Sequence, residues 1–224
     1  MRALAGFRFY LIGRMMSKDP IPWSQLYQAR REVQKRYKKI WDVPIAKRYS
    51  KVLFDHGDDS SAVLEIGAGS RGLSKRLSEA WPDSTYKSLD IDRTYQHDFY
   101  SLDEITGEYD IICMFEVIEH VRPEQAWQIL RKCKEVLRPG GLFFATTPNI
   151  YYPPNYLRDA THITPWCYDE LGAIAHMAGF EIQQLYRLYS DSLSGKLVHR
   201  VFMYPLHKAM GIDFSKQIMI VASA

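Results

Sequence analysis

Apolar positions along this chain fall into two rhythms. Between residues 24 and 41, Leu26, Ala29, Val33, Tyr37 and Ile40 recur close to every 3.6 residues, the spacing of one helix face. Ser24 is placed to cap the start of that helix. Arg30, Arg31, Lys35, Lys38 and Lys39 fall mostly off the apolar stripe. A second helical stretch is expected at roughly 45–54. From residue 62 the rhythm changes. Short apolar runs at 62–66, 85–90, 110–115, 141–147, 181–188 and 217–222 read as strands, and 72–80, 123–137 and 168–178 read as helices between them. Such alternation predicts a parallel sheet with helices on both faces. The connection from Asp92 to Asp98 is too short for a crossover helix. Arg138-Pro139-Gly140-Gly141 reads as a compact turn before the next strand.

Length and composition fit this picture. At 224 residues, 46% hydrophobic and 25% charged, the chain suits one decorated α/β domain. Cys113, Cys133 and Cys167 have no paired spacing, which argues against a disulfide framework and for a reducing, cytoplasmic setting. The apolar first sixteen residues are interrupted by Arg2, Arg8 and Arg14, so neither a signal peptide nor a membrane span is expected there. Charge divides the chain unevenly: residues 1–52 carry a net +10 and the remainder a net −7. We therefore separate a basic helical extension or lid, 1–57, from a main domain, 58–224. The basic part is either a solvated face or a surface for an anionic partner such as a membrane, a nucleic acid or a phosphorylated substrate.

Residues 63–72, Val-Leu-Glu-Ile-Gly-Ala-Gly-Ser-Arg-Gly, carry the first chemistry. A strand runs into Gly67, Gly69 and Gly72 and then into a helix, so the backbone can turn tightly and approach a ligand. Nucleotide-binding proteins of several kinds share that loop. Three further features narrow it. Asp90 ends the second strand, where a carboxylate can meet ribose hydroxyls. Asp98-Phe99 follows the short connection. The run from Phe115 to His120 closes a buried strand and is followed by a helix and the Arg-Pro-Gly-Gly turn.

Together these residues resemble the class I S-adenosylmethionine-dependent methyltransferases over roughly residues 60–222. The resemblance implies a Rossmann-like, three-layer α/β/α fold: a seven-stranded, mostly parallel sheet with its last strand antiparallel, here preceded by the helical extension. It also implies S-adenosylmethionine as cofactor. Gly67, Gly69 and Gly72 would line its methionine and ribose part, and Glu65 would orient its amino end. Asp90 would take the ribose hydroxyls, Asp98 and Phe99 the adenine, and Glu116 would border the same pocket.

Glu116, Glu119 and His120 are spaced i, i+3 and i+4, and would share one face if a helical turn begins where the fourth strand ends. His162 follows in Asp159-Ala-Thr-His. Two carboxylates and two imidazoles are a ligand set for a divalent cation, expected to be Mg²⁺ or Mn²⁺. The pattern is similar to that of small-RNA 2′-O-methyltransferases and of ubiquinone-type O-methyltransferases. The alternatives are a metal-free base, His120 or His162, and a purely structural role. His120, Glu116 and His162 are thus the catalytic candidates, and Glu116, Glu119, His120 and His162 the metal candidates.

The acceptor is expected to be a small or lipid-linked hydroxylated molecule. RNA is the second choice, because no accessory RNA module accompanies the basic prefix. A non-catalytic scaffold is disfavoured by the intact Glu65, glycine loop and Asp90. Tyr151, Tyr152, Tyr156 and Trp166 stand where they would stack on a substrate or pack a lid. In the last inter-strand insertion, Leu197, Val198, Val201, Phe202 and Leu206 share one face, with Lys196, Arg200, His207 and Lys208 off it. That insertion is either an ordinary lid or a surface resting on an anionic membrane, with Pro205 kinking or ending its helix.

Overall fold

The structure, a computed structural model, describes residues 21–190 and 193–224. The arginine-interrupted first sixteen residues lie outside them. Seven strands form one sheet: β1 (Ile45–Ala46), β2 (Ala62–Ile66), β3 (Thr85–Leu89), β4 (Tyr109–Phe115), β5 (Leu137–Pro148), β6 (Glu181–Leu188) and β7 (Gln217–Ser223). Their spatial order is β1-β6-β7-β5-β4-β2-β3. Only β7 runs antiparallel, between β5 and β6. The expected sheet is therefore present, but one of its strands is unforeseen. β1 has two residues, too few to show a periodicity, and is held at the edge by Arg187 and Leu188. On the opposite edge, the segment after β3 adds a single bridge, Leu89 to Phe99.

Alternation inside the central strands builds two cores. Leu64, Ile66, Ile112, Met114, Phe143, Ala145, Ile218 and Ile220 face one layer. Val63, Ile111, Cys113, Phe144, Met219 and Val221 face the other. Successive strand residues point to opposite sides, so runs buried on both faces read as continuously apolar. The first layer contains α1 (Trp23–Arg36), α4 (Pro123–Val136) and α6 (Tyr168–Met177); the second contains α2 (Tyr49–Phe54) and α3 (Gly72–Ala80). The connections carry α5 (Pro153–Leu157), α7 (Leu193–Leu197) and α8 (Tyr204–Met210), with a π-helical turn, Val198–Phe202, between the last two.

Several boundaries differ from expectation for local reasons. α1 starts after Pro22 without a side-chain cap, so Ser24 is not its N-cap, and it ends at Arg36 because Tyr37 is extended. Ile40–Asp42 is a separate 3₁₀ turn. The helix expected at 45–54 keeps only α2, its start being taken by β1. The Arg138–Gly141 segment continues β5 through an irregular register rather than forming a free turn. Pro205 lies in the first turn of α8, where its missing N–H costs nothing. The basic extension is continuous with the domain: Leu26, Ala29, Val33 and Tyr37 are buried in the larger core against α6. Among the described residues no helix is long and apolar enough to cross a membrane.

Candidate active site

Two groups of residues meet at the carboxyl edge of β2 and β4. The first is the glycine loop. Gly67 and Gly69 have φ of +73° and +51°, the left-handed region that glycine enters without a Cβ penalty. At Gly67 space matters as much, since a Cβ there would lie 2.2 Å from Val117 Cγ2. The Gly67 and Ala68 N–H groups donate to the Leu89 carbonyl at 2.8 and 3.1 Å. The Gly69 N–H donates to Asp90 Oδ2 at 2.7 Å, and the Asp92 N–H to Asp90 Oδ1 at 2.9 Å. Asp90 is thus buried and organises the loop. A carboxylate accepts about four hydrogen bonds, so capacity remains for ribose hydroxyls.

Glu65 is buried on β2, and the Tyr86 hydroxyl donates to its carboxylate. Burial raises its pKa to about 7, against the lowering effect of that hydrogen bond. Asp98 is otherwise engaged. It accepts from the Ser88 N–H at 2.9 Å and from Lys87 Nζ at 2.9 Å, clipping the short connection onto β3. Burial would raise its pKa, but Lys87 and the Ser88 N–H outweigh it and hold the carboxyl below its usual range. Phe99 is half-buried against the larger core. Gly72 opens α3 with open space where a Cβ would be.

The second group lies past β4. Glu116 adopts φ of +54° and precedes the 3₁₀ turn Ile118–His120. It therefore does not share a helical face with Glu119 and His120 as the spacing suggested, because the chain reverses hand at Glu116 before any helical turn begins. Its carboxylate accepts from the Thr146 hydroxyl at 2.9 Å, and burial raises its pKa against Gln217 and Thr146. Glu119, His120 and His162 do come together, with one potential ligand atom from each lying within 4.8 Å of the others.

Glu119 is fully buried, and neither carboxylate oxygen has a hydrogen-bond partner. The Thr147 hydroxyl acts on its acidity but makes no regular hydrogen bond either. Burial, with Glu116 nearby, raises the Glu119 pKa to about 9. Its Oε1 lies 3.8 Å from His120 Nε2 and 4.0 Å from His162 Nε2. Each imidazole is fixed through its other nitrogen. His162 Nδ1 meets the Tyr156 carbonyl at 2.7 Å. His120 Nδ1 meets the Thr161 hydroxyl at 2.9 Å, whose own proton goes to Asp159. A hydroxyl that donates to a carboxylate must accept from the imidazole, so His120 carries its proton on Nδ1 and turns an Nε2 lone pair toward Glu119. Burial and the neighbouring His162 lower the His120 pKa, which keeps the ring neutral.

A buried carboxylate with two unmet oxygens beside two imidazoles oriented from behind fits a divalent cation. Two nitrogen donors suit Mn²⁺ or a later first-row ion better than Mg²⁺. The cluster opens into a cleft of about 390 Å³ that is also lined by Glu116, Asn155, Arg158, Asp159, Lys216 and Gln217. Asp159 escaped the sequence reading, although Asp-x-Thr is the signature of the turn it makes with the Thr161 N–H. Gln217 and Thr146 give no sequence signal, since Thr146 reaches Glu116 through the pairing of β4 with β5 and Gln217 through that of β5 with β7. Trp166 is buried, its Nε1 donating to the Ile118 carbonyl, so it supports the turn and does not stack on a substrate. Tyr151 packs on Tyr168, and Tyr156 lies against His162 with ring centroids 5.1 Å apart. Tyr152 is half-buried at the start of α5.

The model of a methyltransferase domain matches residues 29–185, well over half of the chain. The chain belongs to this methyltransferase family, and its cofactor is S-adenosylmethionine. It is 41% identical over 80 residues to a probable S-adenosylmethionine-dependent methyltransferase of Mycolicibacterium smegmatis, covering 33% of this chain and 29% of that protein. It is 30% identical over 104 residues to a ubiquinone biosynthesis O-methyltransferase of Bordetella avium, covering 39% and 42%. The chain thus spans less than half the length of these curated relatives. A methyltransferase structure from Archaeoglobus fulgidus superposes with a TM-score of 0.58 at 18% identity, covering 87% of this chain and 94% of that one.

Proposed function

We propose that this methyltransferase methylates a hydroxyl group of a small or lipid-linked acceptor, with Glu119, His120 and His162 holding a divalent cation beside it. The observation that carries the reading is Glu119, fully buried with both oxygens unmet and two imidazole Nε2 atoms 3.8 and 4.0 Å away. The O-methyltransferase of Bordetella avium is consistent with an oxygen acceptor.

S-adenosylmethionine, when bound, supplies a methyl group on a positively charged sulfur, so the acceptor needs chiefly alignment and partial deprotonation. A divalent cation would supply the latter by lowering the pKa of a hydroxyl. The chain's own residues set up both. The loop N–H groups and Asp90 shape the cofactor side. Val117, packed on Gly67, brings the Glu116-to-His120 turn against that loop. Thr161 and the Tyr156 carbonyl hold the two imidazoles with Nε2 facing inward. Glu119 would hold a cation in its deprotonated form, with His120 and His162 as the other two ligands. Arg158 and Lys216, both exposed at the rim, are placed to meet an anionic part of the acceptor.

The test is transfer of a labelled methyl group from S-adenosylmethionine to a panel of catechols, prenylated hydroxybenzoates and small-RNA 3′ ends. Transfer to an oxygen that EDTA abolishes and Mn²⁺ restores is expected. Methylation of nitrogen or carbon, or a full rate in EDTA, overturns the reading.

A further inference from the structure

The insertion between β6 and β7 inverts the usual arrangement of a surface helix. Leu197, Val198, Val201, Phe202, Leu206 and Met210 are exposed, Phe202 to 70%. Two histidine side chains turn inward instead. His199 and His207 stack on one another and on buried Phe214, with ring centroids 5.9 to 6.4 Å apart, and the Nδ1 atom of each is buried. A helical segment normally buries its apolar stripe and exposes its polar one. Here the histidines are half-buried while six apolar side chains within 197–210 are left in solvent, a concentration that points to an interaction site.

Basic residues flank that ridge on two sides. The Trp41 ring meets Tyr204 edge-on at 5.8 Å, tying the turn that follows Lys38 and Lys39 to α8. The Tyr189 N–H donates to the Ala46 carbonyl, so Lys47 and Arg48 emerge beside the start of the insertion. Lys208, on α8 itself, sets its Nζ 4.7 Å from the centre of the Tyr204 ring. All five are exposed, and none forms an ion pair among the described residues. The one acidic group of the turn, Asp42, accepts from the Lys39 N–H. A second copy of the chain would bring two cationic rims together, which like-charge repulsion opposes. A surface with an apolar interior and anionic head groups matches both features.

We propose that the face formed by residues 197–210, flanked by Lys38, Lys39, Lys47, Arg48 and Lys208, docks on an anionic lipid bilayer. The side chains of the ridge enter the acyl boundary while the basic residues contact head groups. Lys216 and Gln217, which follow the insertion directly, line the catalytic cleft, so a docked molecule would hold the cleft mouth near the lipid surface. The proposal does not depend on which acceptor is methylated.

The test is co-sedimentation of the full chain with vesicles of phosphatidylcholine alone and with about one third phosphatidylglycerol. Binding to the anionic vesicles and little to the neutral ones is expected. Val198→Asp with Phe202→Asp should lower the partition coefficient by about tenfold or more, and Lys38→Glu with Lys39→Glu by roughly fivefold per residue at low salt. Circular dichroism melting checks that each variant is folded; if the first does not fold, Leu206→Ser with Met210→Ser replaces it. Absence of binding to anionic vesicles overturns the proposal. So does binding that the folded ridge variants leave unchanged, or a wild-type dimer that those variants convert to monomer.

Discussion

At the end of β2 the loop N–H groups already have partners inside the chain: Gly67 and Ala68 on the Leu89 carbonyl, Gly69 on Asp90. At the end of β4, in contact with that loop through Val117, Glu119 is equally buried and has no hydrogen bond to either oxygen. The first region is built in its working shape without a ligand. The second is electrostatically incomplete: burial, with Glu116 nearby, raises the Glu119 pKa to about 9, so the carboxyl holds its proton at neutral pH. A loop ordered in this way would take a ligand with little rearrangement. On the proposed function, that incompletion makes the Glu119 cluster depend on pH and on a cation. Neighbouring segments of one sheet edge thus follow different rules.

The contrast can be broken most severely at Gly67. Gly67→Ala places a Cβ in left-handed backbone and against Val117 Cγ2. We expect S-adenosylmethionine affinity to fall about 100-fold, or roughly 2.7 kcal/mol, in calorimetry, with a lowered melting temperature. Unchanged affinity would mean that the loop is less fixed than its geometry indicates.

The next effect separates the regions by pH. The Glu119 pKa is raised on folding, so the native state binds its proton more tightly than the unfolded chain does. Its contribution to metal-free stability is therefore full below the ordinary carboxylate range and is lost as pH rises toward 9. Between about pH 6 and 8 this amounts to roughly 2.7 kcal/mol. Urea denaturation of metal-free protein should show that loss in the wild type and not in Glu119→Gln. Equal slopes would remove Glu119 as the source.

A smaller change probes the support behind the ligands. Thr161→Val removes the hydroxyl behind His120 Nδ1 and leaves the Thr161 carbonyl, at 3.2 Å, as a remaining partner; it should weaken Mn²⁺ binding by up to about tenfold without altering S-adenosylmethionine affinity. A parallel loss of both would show that the regions are coupled. The smallest effect is expected at Asp98, whose ion pair with Lys87 is largely in solvent. In chemical denaturation, Asp98→Asn should cost under about 1 kcal/mol. Because its pKa is lowered, that contribution is present at neutral pH and lost as acid protonates the carboxyl.

What the sequence revealed follows the same division. The glycine loop, Asp90 and the central strands are written in local spacing: Ala62–Ile66 runs straight into its turn, and Val63 and Leu64 alternate between the two cores. The acceptor side depends on geometry that spacing does not encode. The i, i+3, i+4 pattern put Glu116 on one helical face with Glu119 and His120; the left-handed backbone at Glu116 breaks that face, and the residue reaches the same cleft hydrogen-bonded to Thr146. The carbonyl that orients His162 belongs to Tyr156, and a backbone partner leaves no signature in residue types. Asp98 was expected at the adenine, yet Ser88 and Lys87 already engage it. Arg187 was hidden in an apolar run, although it joins β6 to Asp213 and to the Val43 carbonyl and fixes the two-residue strand β1.

The measurement that tests the account most directly is a calorimetric titration of Mn²⁺ into metal-stripped protein at about pH 8, for the wild type and for Glu119→Gln and His162→Ala. The account predicts one ion per chain in the wild type, with affinity rising up to about tenfold per pH unit toward 9 as Glu119 loses its proton, and loss of that binding in both variants. No saturable binding by the folded wild type, or equal binding by the variants, would contradict it.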